Sequence, residues 1–266
     1  MKVEPGLLDN CMKKLLSLLL FLPIFLLSCS TNIDEITISN EEIDEITNNQ
    51  VNENVSVASK KVSDFDNYIE AINEYISRFK KLEKYELISS GNAEALLFTQ
   101  KIYATVAKDK DKYKIYNTST SSLKNQYHEA IFEDKIKYRD KKEDEFIEIE
   151  LSDYKKTYGI TPYDNTLFDY IINEDTVNKI EREKIDDNYK FTIDLDINTD
   201  SVKYVKIQMK KLGDLDDYPE FIYVKLYITM DNDFKPIIGK IESKYKVKSF
   251  FTVTCTQELD VSFNME

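Results

Sequence analysis

Residues 188–197 read Asn-Tyr-Lys-Phe-Thr-Ile-Asp-Leu-Asp-Ile, and aromatic or aliphatic side chains occupy every second position from Tyr189 to Ile197. A period of two places these side chains on one face of a β-strand and the polar ones on the other. Strands of this kind pack one face on a core and turn the other to water, which is typical of antiparallel sheets. The stretch therefore predicts a β-rich fold.

The same alternation recurs on both sides of this segment. Asp231-Asn232-Asp233 marks a turn between two such runs, and similar polar turns separate the others. Short turns between successive strands indicate an antiparallel meander. The alternating runs cover residues 222–230, 237–247 and 251–263 and, earlier in the chain, 96–106, 113–116, 130–133, 136–138 and 146–151.

Two interruptions of this period predict helices. Ser63-Asp64-Phe65-Asp66 resembles a capping box, and the apolar residues from Phe65 to Leu82 recur at helical spacing. From Gly159 to Lys184 the alternation stops, and Leu167, Phe168, Ile171, Ile172, Val177 and Ile180 suggest a helical insert. We therefore expect an α+β, β-rich fold. Its antiparallel meander is expected to curve into an incomplete barrel, packed on an N-terminal amphipathic helix and the mid-chain helical insert.

The N-terminus has the order of a secretory signal peptide. Met12-Lys13-Lys14 is basic, residues 15–27 are almost wholly apolar, and Leu26-Leu27-Ser28-Cys29 closes the run. The apolar run is too short to span a bilayer, which needs about 20 residues. The closing tetrad resembles a bacterial lipobox, which predicts lipidation of Cys29. Residues 1–11 fit no such pattern, so we take Met12 as the true start.

Three regions follow from this reading. Residues 1–28 are the signal peptide, residues 29–63 are the lipidated N-terminus and an acidic flexible tether, and residues 64–266 are the β-rich domain. The tether contains Ile33-Asp34-Glu35-Ile36-Thr37 and again Ile43-Asp44-Glu45-Ile46-Thr47. This echo is interpreted as duplicated linker, and a short motif for a protein partner is the alternative. Low hydrophobicity and acidic charge keep such a stretch solvated.

Composition excludes several kinds of site. A net charge of −13 argues against nucleic acid as a partner. Cys255 is the one cysteine beyond Cys29, so the domain has no internal disulfide, and we expect it to be a buried small hydrophobe. His128 is the one histidine and is interpreted as a surface or satisfied polar residue. We found no phosphate loop, nucleophile elbow or metal-ligand spacing, and therefore predict no catalytic residues, cofactor or metal site.

The order of parts resembles the LolA/LppX-type lipoprotein-carrier superfamily. The resemblance rests on Asn188-Tyr189-Lys190-Phe191-Thr192, on residues 227–236 and on the final alternating strand, and it covers residues 64–266 as a pattern. It implies an incomplete antiparallel barrel wrapped around helices, with acyl chains held in the concavity. It does not imply a soluble shuttle, because this chain is expected to be tethered.

Two hypotheses on function follow. The first is a membrane-anchored, non-catalytic lipoprotein that binds a lipid or other apolar ligand in a half-barrel groove. The second is a surface or structural lipoprotein with a filled core that engages a protein partner through its outer face. In both, Cys29 attaches the chain to a membrane on its extracytoplasmic side, in the periplasm or at the cell surface. Ser30 and Thr31 after the cysteine favour the outer membrane in a diderm cell.

Overall fold

We describe the protein from a computed structural model, which covers residues 60–96, 98–121, 125–158, 161–162, 170–212, 215, 217–248 and 252–265. The predicted leader, Cys29 and nearly all of the predicted tether lie outside these residues. So do Leu167 and Phe168 of the predicted insert. Among the described residues, no helix combines the length and apolar character needed to cross a bilayer.

The described strands form one antiparallel sheet of eleven strands in the order β6-β5-β4-β3-β2-β1-β11-β10-β9-β8-β7. The first and last strands, β1 and β11, pair at the centre of the sheet and join two meanders. The two edge strands are β6 and β7. The prediction of a β-rich antiparallel meander is confirmed. The strands are β1 Lys84–Ala95, β2 Phe98–Asp109, β3 Lys112–Ser121, β4 Asn125–Phe132, β5 Ile136–Arg139, β6 Ile147–Ile149, β7 Val177–Ile185, β8 Asn188–Leu195, β9 Glu220–Asp231, β10 Pro236–Lys248 and β11 Thr252–Asn264.

The described residues form three α-helices: α1 Tyr68–Lys81, α2 Leu151–Tyr158 and α3 Lys203–Leu212. The predicted N-terminal helix exists, but the predicted cap at Ser63 is wrong. Residues Val62–Asp64 form a separate 3-10 helix, and α1 begins after Asn67. The Asn67 side chain accepts hydrogen bonds from the backbone amides of Ile69 and Glu70, at 2.9 and 3.3 Å. Asparagine is as good an N-cap as serine, which explains the later start.

The described residues of the predicted insert, 161–162 and 170–184, contain no helix. Helix α2 lies earlier, at Leu151–Tyr158, directly after the strand predicted at 146–151, of which Ile147–Ile149 form β6. Val177 and Ile180, expected in the insert, belong to strand β7. Their spacing of three fits a helix, but their segment pairs along its length with β8. Tertiary pairing therefore overrides a weak helical pattern here. Helix α3 was not predicted.

The start of the second strand also differs from the prediction. Leu96 was expected on the core side of a strand, but it lies in the β1–β2 turn with φ 54° and is 65% exposed. In the sequence, residues 96 and 97 between the two strands are both leucine, without Gly, Asn or Asp, so this segment carries no turn signal. Lys110 and Asp186 take the same conformation, at 56° and 54°, in the β2–β3 and β7–β8 turns. Because the segment between β1 and β2 carries no turn signal, the sequence did not show β1 as a separate strand.

Apolar side chains are buried in two separate clusters. The larger one joins the inward side chains of β7–β11 and β1 to Ala71, Ile72 and Tyr75 of α1. The smaller one joins β2–β5 to Tyr154 and Tyr158 of α2. We call the sheet face that carries both clusters the inner face, and the opposite one the outer face.

Hydrogen bonds fix the first described residues to strand β7, to the β9–β10 turn and to helix α1. The Val62 amide donates to the Asn232 carbonyl at 2.9 Å. The guanidinium of Arg182 donates to the carbonyls of Val62 and Phe65 at 3.1 and 2.8 Å. Arg78 donates to the Lys60 carbonyl at 2.7 Å. The chain therefore enters the fold beside the β9–β10 turn.

Candidate ligand-binding face

The centre of the inner face is lined by small side chains. Ala93, Ala95 and Ala104 are nearly inaccessible on the inner side of β1 and β2, which also carries the larger Leu87, Ile102 and Val106. Gly91 precedes Ala93 on the same side of β1 and pairs with Leu259 of β11. A Cβ atom at Gly91 would overlap the Glu258 carbonyl oxygen and lie 2.9 Å from the Leu259 Cα. The close approach of β1 and β11 therefore requires glycine at this position.

A set of buried uncharged polar residues surrounds these small side chains on the inner face of neighbouring strands, and we call it the polar band. Its residues share the inner face and are at most 5% exposed. Two cross-strand rows contain most of them: Ser89–Ala104–Asn117 on β1–β3, and Ser243–Gln257–Ala93–Gln100 on β10, β11, β1 and β2. The polar band consists of Ser89, Gln100, Asn117, Ser119, Ser243 and Gln257.

Hydrogen bonds within the polar band use part of its capacity. Gln100 donates through Nε2 to Ser119 Oγ at 2.8 Å, and Ser119 donates to Gln126 Oε1 at 3.2 Å. On the neighbouring strands β10 and β11, Ser243 donates to Gln257 Oε1 at 3.2 Å. Each glutamine thus uses one of its two amide atoms on a serine.

The remaining atoms of the polar band have no hydrogen-bond partner within the described part of the chain. They are Ser89 Oγ, Gln100 Oε1, Gln257 Nε2 and both amide atoms of Asn117. A buried polar group without a partner costs about 1–3 kcal/mol of stability. Native interiors satisfy most such groups, so an accumulation of them indicates a bound molecule or water. This is the feature of the fold that most clearly calls for a ligand.

His128 on β4 lies beside Asn117 in register and connects the sheet to α2. Its Nδ1 lies 2.7 Å from Asp140 Oδ1, and its Nε2 lies 2.8 Å from the Tyr154 hydroxyl. The Tyr158 hydroxyl donates to Asp140 Oδ2 at 2.9 Å. In a neutral imidazole the proton lies on Nδ1, because the Asp140 carboxylate can only accept, and Nε2 then accepts from Tyr154. The prediction that His128 is a satisfied polar residue on a strand is confirmed.

Burial and hydrogen bonds shift the pKa values of the Tyr154, Tyr158 and Asp140 side chains around His128. Burial raises the pKa of Tyr154 well above its usual value, and burial together with Asp140 raises the pKa of Tyr158. Burial opposes ionisation of Asp140, but the bonds from His128 and Tyr158 outweigh it and lower its pKa. Tyr154 is fully buried and His128 is 2% exposed. The cluster therefore fastens α2 to β4 and gives no incoming substrate access to the imidazole.

The outer face of β4 and β5 carries an ion pair. Arg139 donates through Nε to Glu129 Oε2 at 2.8 Å, and Lys114 Nζ lies 2.9 Å from Glu129 Oε1. Tyr127 donates to the same carboxylate at 2.6 Å. Burial disfavours the charge on Glu129, but these three donors lower its pKa to about 2. Burial and Glu129 raise the pKa of Tyr127 to about 12.

The structure places the remaining sequence-predicted residues as follows. Cys255 is 2% exposed beside Val253 on the inner face, as predicted, and burial raises the pKa of its thiol to about 12. Asp231 and Asp233 lie in the β9–β10 turn, where Asp231 Oδ1 accepts from the Asp233 amide at 2.9 Å. Cys29 lies outside the described residues. Among those that are described, no three His, Cys, Asp or Glu side chains are grouped so as to hold a metal ion.

Sequence reasoning missed the polar band. Its members are ordinary Ser, Asn and Gln residues on five different strands, and each looks like a solvent-facing position by itself. A signal exists on β3, where Tyr113 and Ile115 are followed at the same spacing by Asn117 and Ser119. The period of two continues there while the inward side chains change from apolar to polar.

Comparisons with known proteins identify no family for the chain. No family model matches it. No curated protein matches it. A solved structure described as an N-terminal dehydratase from the difficidin assembly line covers 73% of this chain and 82% of its own length, with 10% sequence identity and a TM-score of 0.16. A likeness at that level supports no conclusion on fold or activity.

Proposed function

We propose that this chain is a lipid-anchored extracytoplasmic protein whose sheet curves into an incomplete barrel and binds a lipid or other apolar ligand, without catalysis. One observation carries the ligand proposal. Buried small side chains of β1 and β2, Ala93 and Ala104, lie among the polar band on the inner face, where the larger apolar cluster, to which Ala93 belongs, adjoins the smaller one. Ligand pockets are mostly apolar with a small number of placed polar groups, which is the composition of this part of the inner face. The resemblance to LolA/LppX-type carriers supports the same proposal.

The anchor proposal rests on the sequence of residues 12–29. Cells expressing the full chain are labelled with radioactive palmitate, and the immunoprecipitated protein is examined. We expect labelling of the parent and of Cys11→Ala, and none of Cys29→Ala. Equal labelling of Cys29→Ala would overturn the anchor and leave the ligand proposal untouched.

The ligand proposal is tested on the chain as cells make it. The full chain is purified, washed free of detergent and analysed by native mass spectrometry and by solvent extraction. We expect one lipid class to be retained at near-stoichiometric ratio. Recovery of membrane lipids in their bulk proportions, or of none, would contradict a dedicated groove.

A second candidate function is recognition of a protein by the outer face. The observation that favours it is a pair of clefts over β1–β4, of about 450 and 320 Å³, the smaller one beside Tyr103. Tyr103 is 41% exposed and packs edge-on against Tyr116. Exposed tyrosines are common at protein interfaces. Cross-linking in cells from position 103 would identify a partner, whereas the groove proposal predicts no dependence on this residue.

A further inference from the structure

We infer that the ligand of the inner face carries an uncharged, multiply hydrogen-bonding head group, which the polar band receives; the inference rests on the proposed function. The observation is the set of side-chain atoms left without partners among the described residues. They are spread over β11, β1, β2 and β3 rather than gathered at one point.

The free atoms include both donors and acceptors. Asn117 offers an NH₂ donor and a carbonyl acceptor, Gln257 offers an NH₂ donor, and Gln100 offers a carbonyl acceptor. A hydroxyl both donates and accepts, and an ester or amide carbonyl accepts. A molecule with several such groups can therefore match the polar band, whereas a plain hydrocarbon leaves every one of these atoms unpaired.

The polar band contains no charged side chain. Among the described residues that are buried on the inner face, none is Lys, Arg, Asp or Glu, and the neighbouring His128 is bonded to Asp140 and Tyr154. A buried carboxylate or phosphate needs a counter-charge or a metal ion, because transfer of an unpaired ion from water is very unfavourable. The head group is therefore neutral.

The spacing of the strands gives the size of the head group. Gln257 and Gln100 lie on either side of Ala93, two strand spacings or about 10 Å apart. The row of Ser89 and Asn117 is four residues along β1 from that row, about 13 Å. A glycerol or monosaccharide group bonded to a chain fits within this area, and the apolar side chains of the two clusters flank it.

The test compares three probes that share an eighteen-carbon unsaturated chain: 1-monoolein, oleate and 1-octadecene. The full-length protein carries Cys29→Ala, so that no acyl group of its own competes. Binding is measured by displacement of N-phenyl-1-naphthylamine and by native mass spectrometry. We expect 1-monoolein to bind at least about tenfold more tightly than either of the other probes, because a single lost hydrogen bond to a buried group is worth about that factor.

Substitutions inside and outside the polar band show which residues cause the preference for 1-monoolein. Asn117→Leu is expected to reduce the preference for 1-monoolein over 1-octadecene to less than about threefold and to raise the melting temperature of the ligand-free protein. Asn92→Leu, on the exposed outer side of β1, is the matched control and should keep the preference. Should Asn117→Leu fail to fold, Gln257→Leu, three strands away on β11, is measured in the same way.

The outcomes separate this inference from the proposed function. Three outcomes would overturn the inference and leave an apolar groove: binding of all three probes with equal affinity, tighter binding of oleate, or an unchanged preference in Asn117→Leu. Where Gln257→Leu takes the place of Asn117→Leu, an unchanged preference in that variant has the same meaning. Failure of all three probes to bind would overturn the groove as well. Tight 1-monoolein binding that is lost in the variant and kept in the control supports both.

Discussion

The two meanders of the sheet are stabilised in different ways. We call β7–β11 the C-terminal half and β2–β6 the N-terminal half, with β1 at the seam. On the inner face of the C-terminal half, Phe191, Ile193 and Leu226 are inaccessible to solvent and pack on apolar neighbours and α1. On the inner face of the N-terminal half, Ile115 is followed along β3 by Asn117, beside His128. Burial of apolar surface dominates the C-terminal half, whereas the N-terminal half combines a smaller apolar cluster with the hydrogen bonds of Gln100, Ser119 and His128.

This difference indicates a division of labour. Burial is non-directional and roughly additive in area, so the C-terminal half tolerates exchanges that keep side-chain volume. Hydrogen-bonded interiors depend on every partner being present, so exchanges in the His128–Tyr154 cluster of the N-terminal half are expected to be tolerated less well. The small side chains of β1 and β2 lie where the two kinds of interior meet, which is where the proposed ligand would bind.

The largest effect is expected from Phe191→Ala in the C-terminal half. The ring is fully buried and packs edge-on against Tyr68 of α1 at 6.3 Å. Its removal leaves a cavity, and we expect a loss of about 4 kcal/mol in the free energy of unfolding, measured by urea titration. Thr192→Ala, on the opposite face of β8, is the control and should change stability by less than about 0.5 kcal/mol. Equal effects of the two variants would show that β8 is not packed as described.

The second-largest effect is expected from Gly91→Ala, which disturbs the pairing of β1 with β11 between the two halves. Gly91→Ala places a methyl group against the Glu258 backbone, where β1 and β11 can respond only by moving apart. We expect a loss of about 3 kcal/mol. Hydrogen exchange should increase along both β1 and β11. Ser90→Ala, next to it on the exposed outer face, is the control. A stability equal to that of the parent would mean that the seam is more open than the register implies.

A smaller effect is expected in the N-terminal half from Tyr154→Phe. The change keeps the ring and removes the hydroxyl that lies 2.8 Å from His128 Nε2, so the buried imidazole loses a partner. We expect a loss of about 1–2 kcal/mol. Tyr158→Phe should cost less, because its partner Asp140 has a side chain that is 57% exposed and can bond to water instead. The reverse order in thermal unfolding would refute the described role of the cluster.

The smallest effect depends on pH. Glu129 has a folded-state pKa lowered from 4.5 to about 2, so its contribution is complete above pH 4.5 and disappears as the pH falls towards 2. We expect Glu129→Gln to be less stable than the parent by about 1 kcal/mol at pH 6, and the difference to vanish near pH 2. Glu181→Gln, which loses an exposed ion pair with Lys179, should show little difference at either pH. A difference that grows on acidification would contradict the assignment.

The parts of the fold that the sequence predicted are those in which local pattern and tertiary environment agree. Residues 188–197 alternate because one face of β8 is buried, and the same holds for Val253 and Cys255 on β11. The parts that it missed are those in which the two conflict. Leu96 in a turn and Val177 in a strand carry apolar side chains in places that their neighbours along the chain do not explain.

The sequence by itself determined the β-rich class, the meander, the first helix and the prediction of an anchor at Cys29, because each depends on residues that are neighbours along the chain. Only the tertiary structure brought β1 against β11, aligned Gln257, Ala93 and Gln100 across three strands, and placed α2 over His128. These contacts join residues far apart in sequence, and no local period encodes them. The candidate site is made entirely of such contacts, which is why it became visible only in the folded chain.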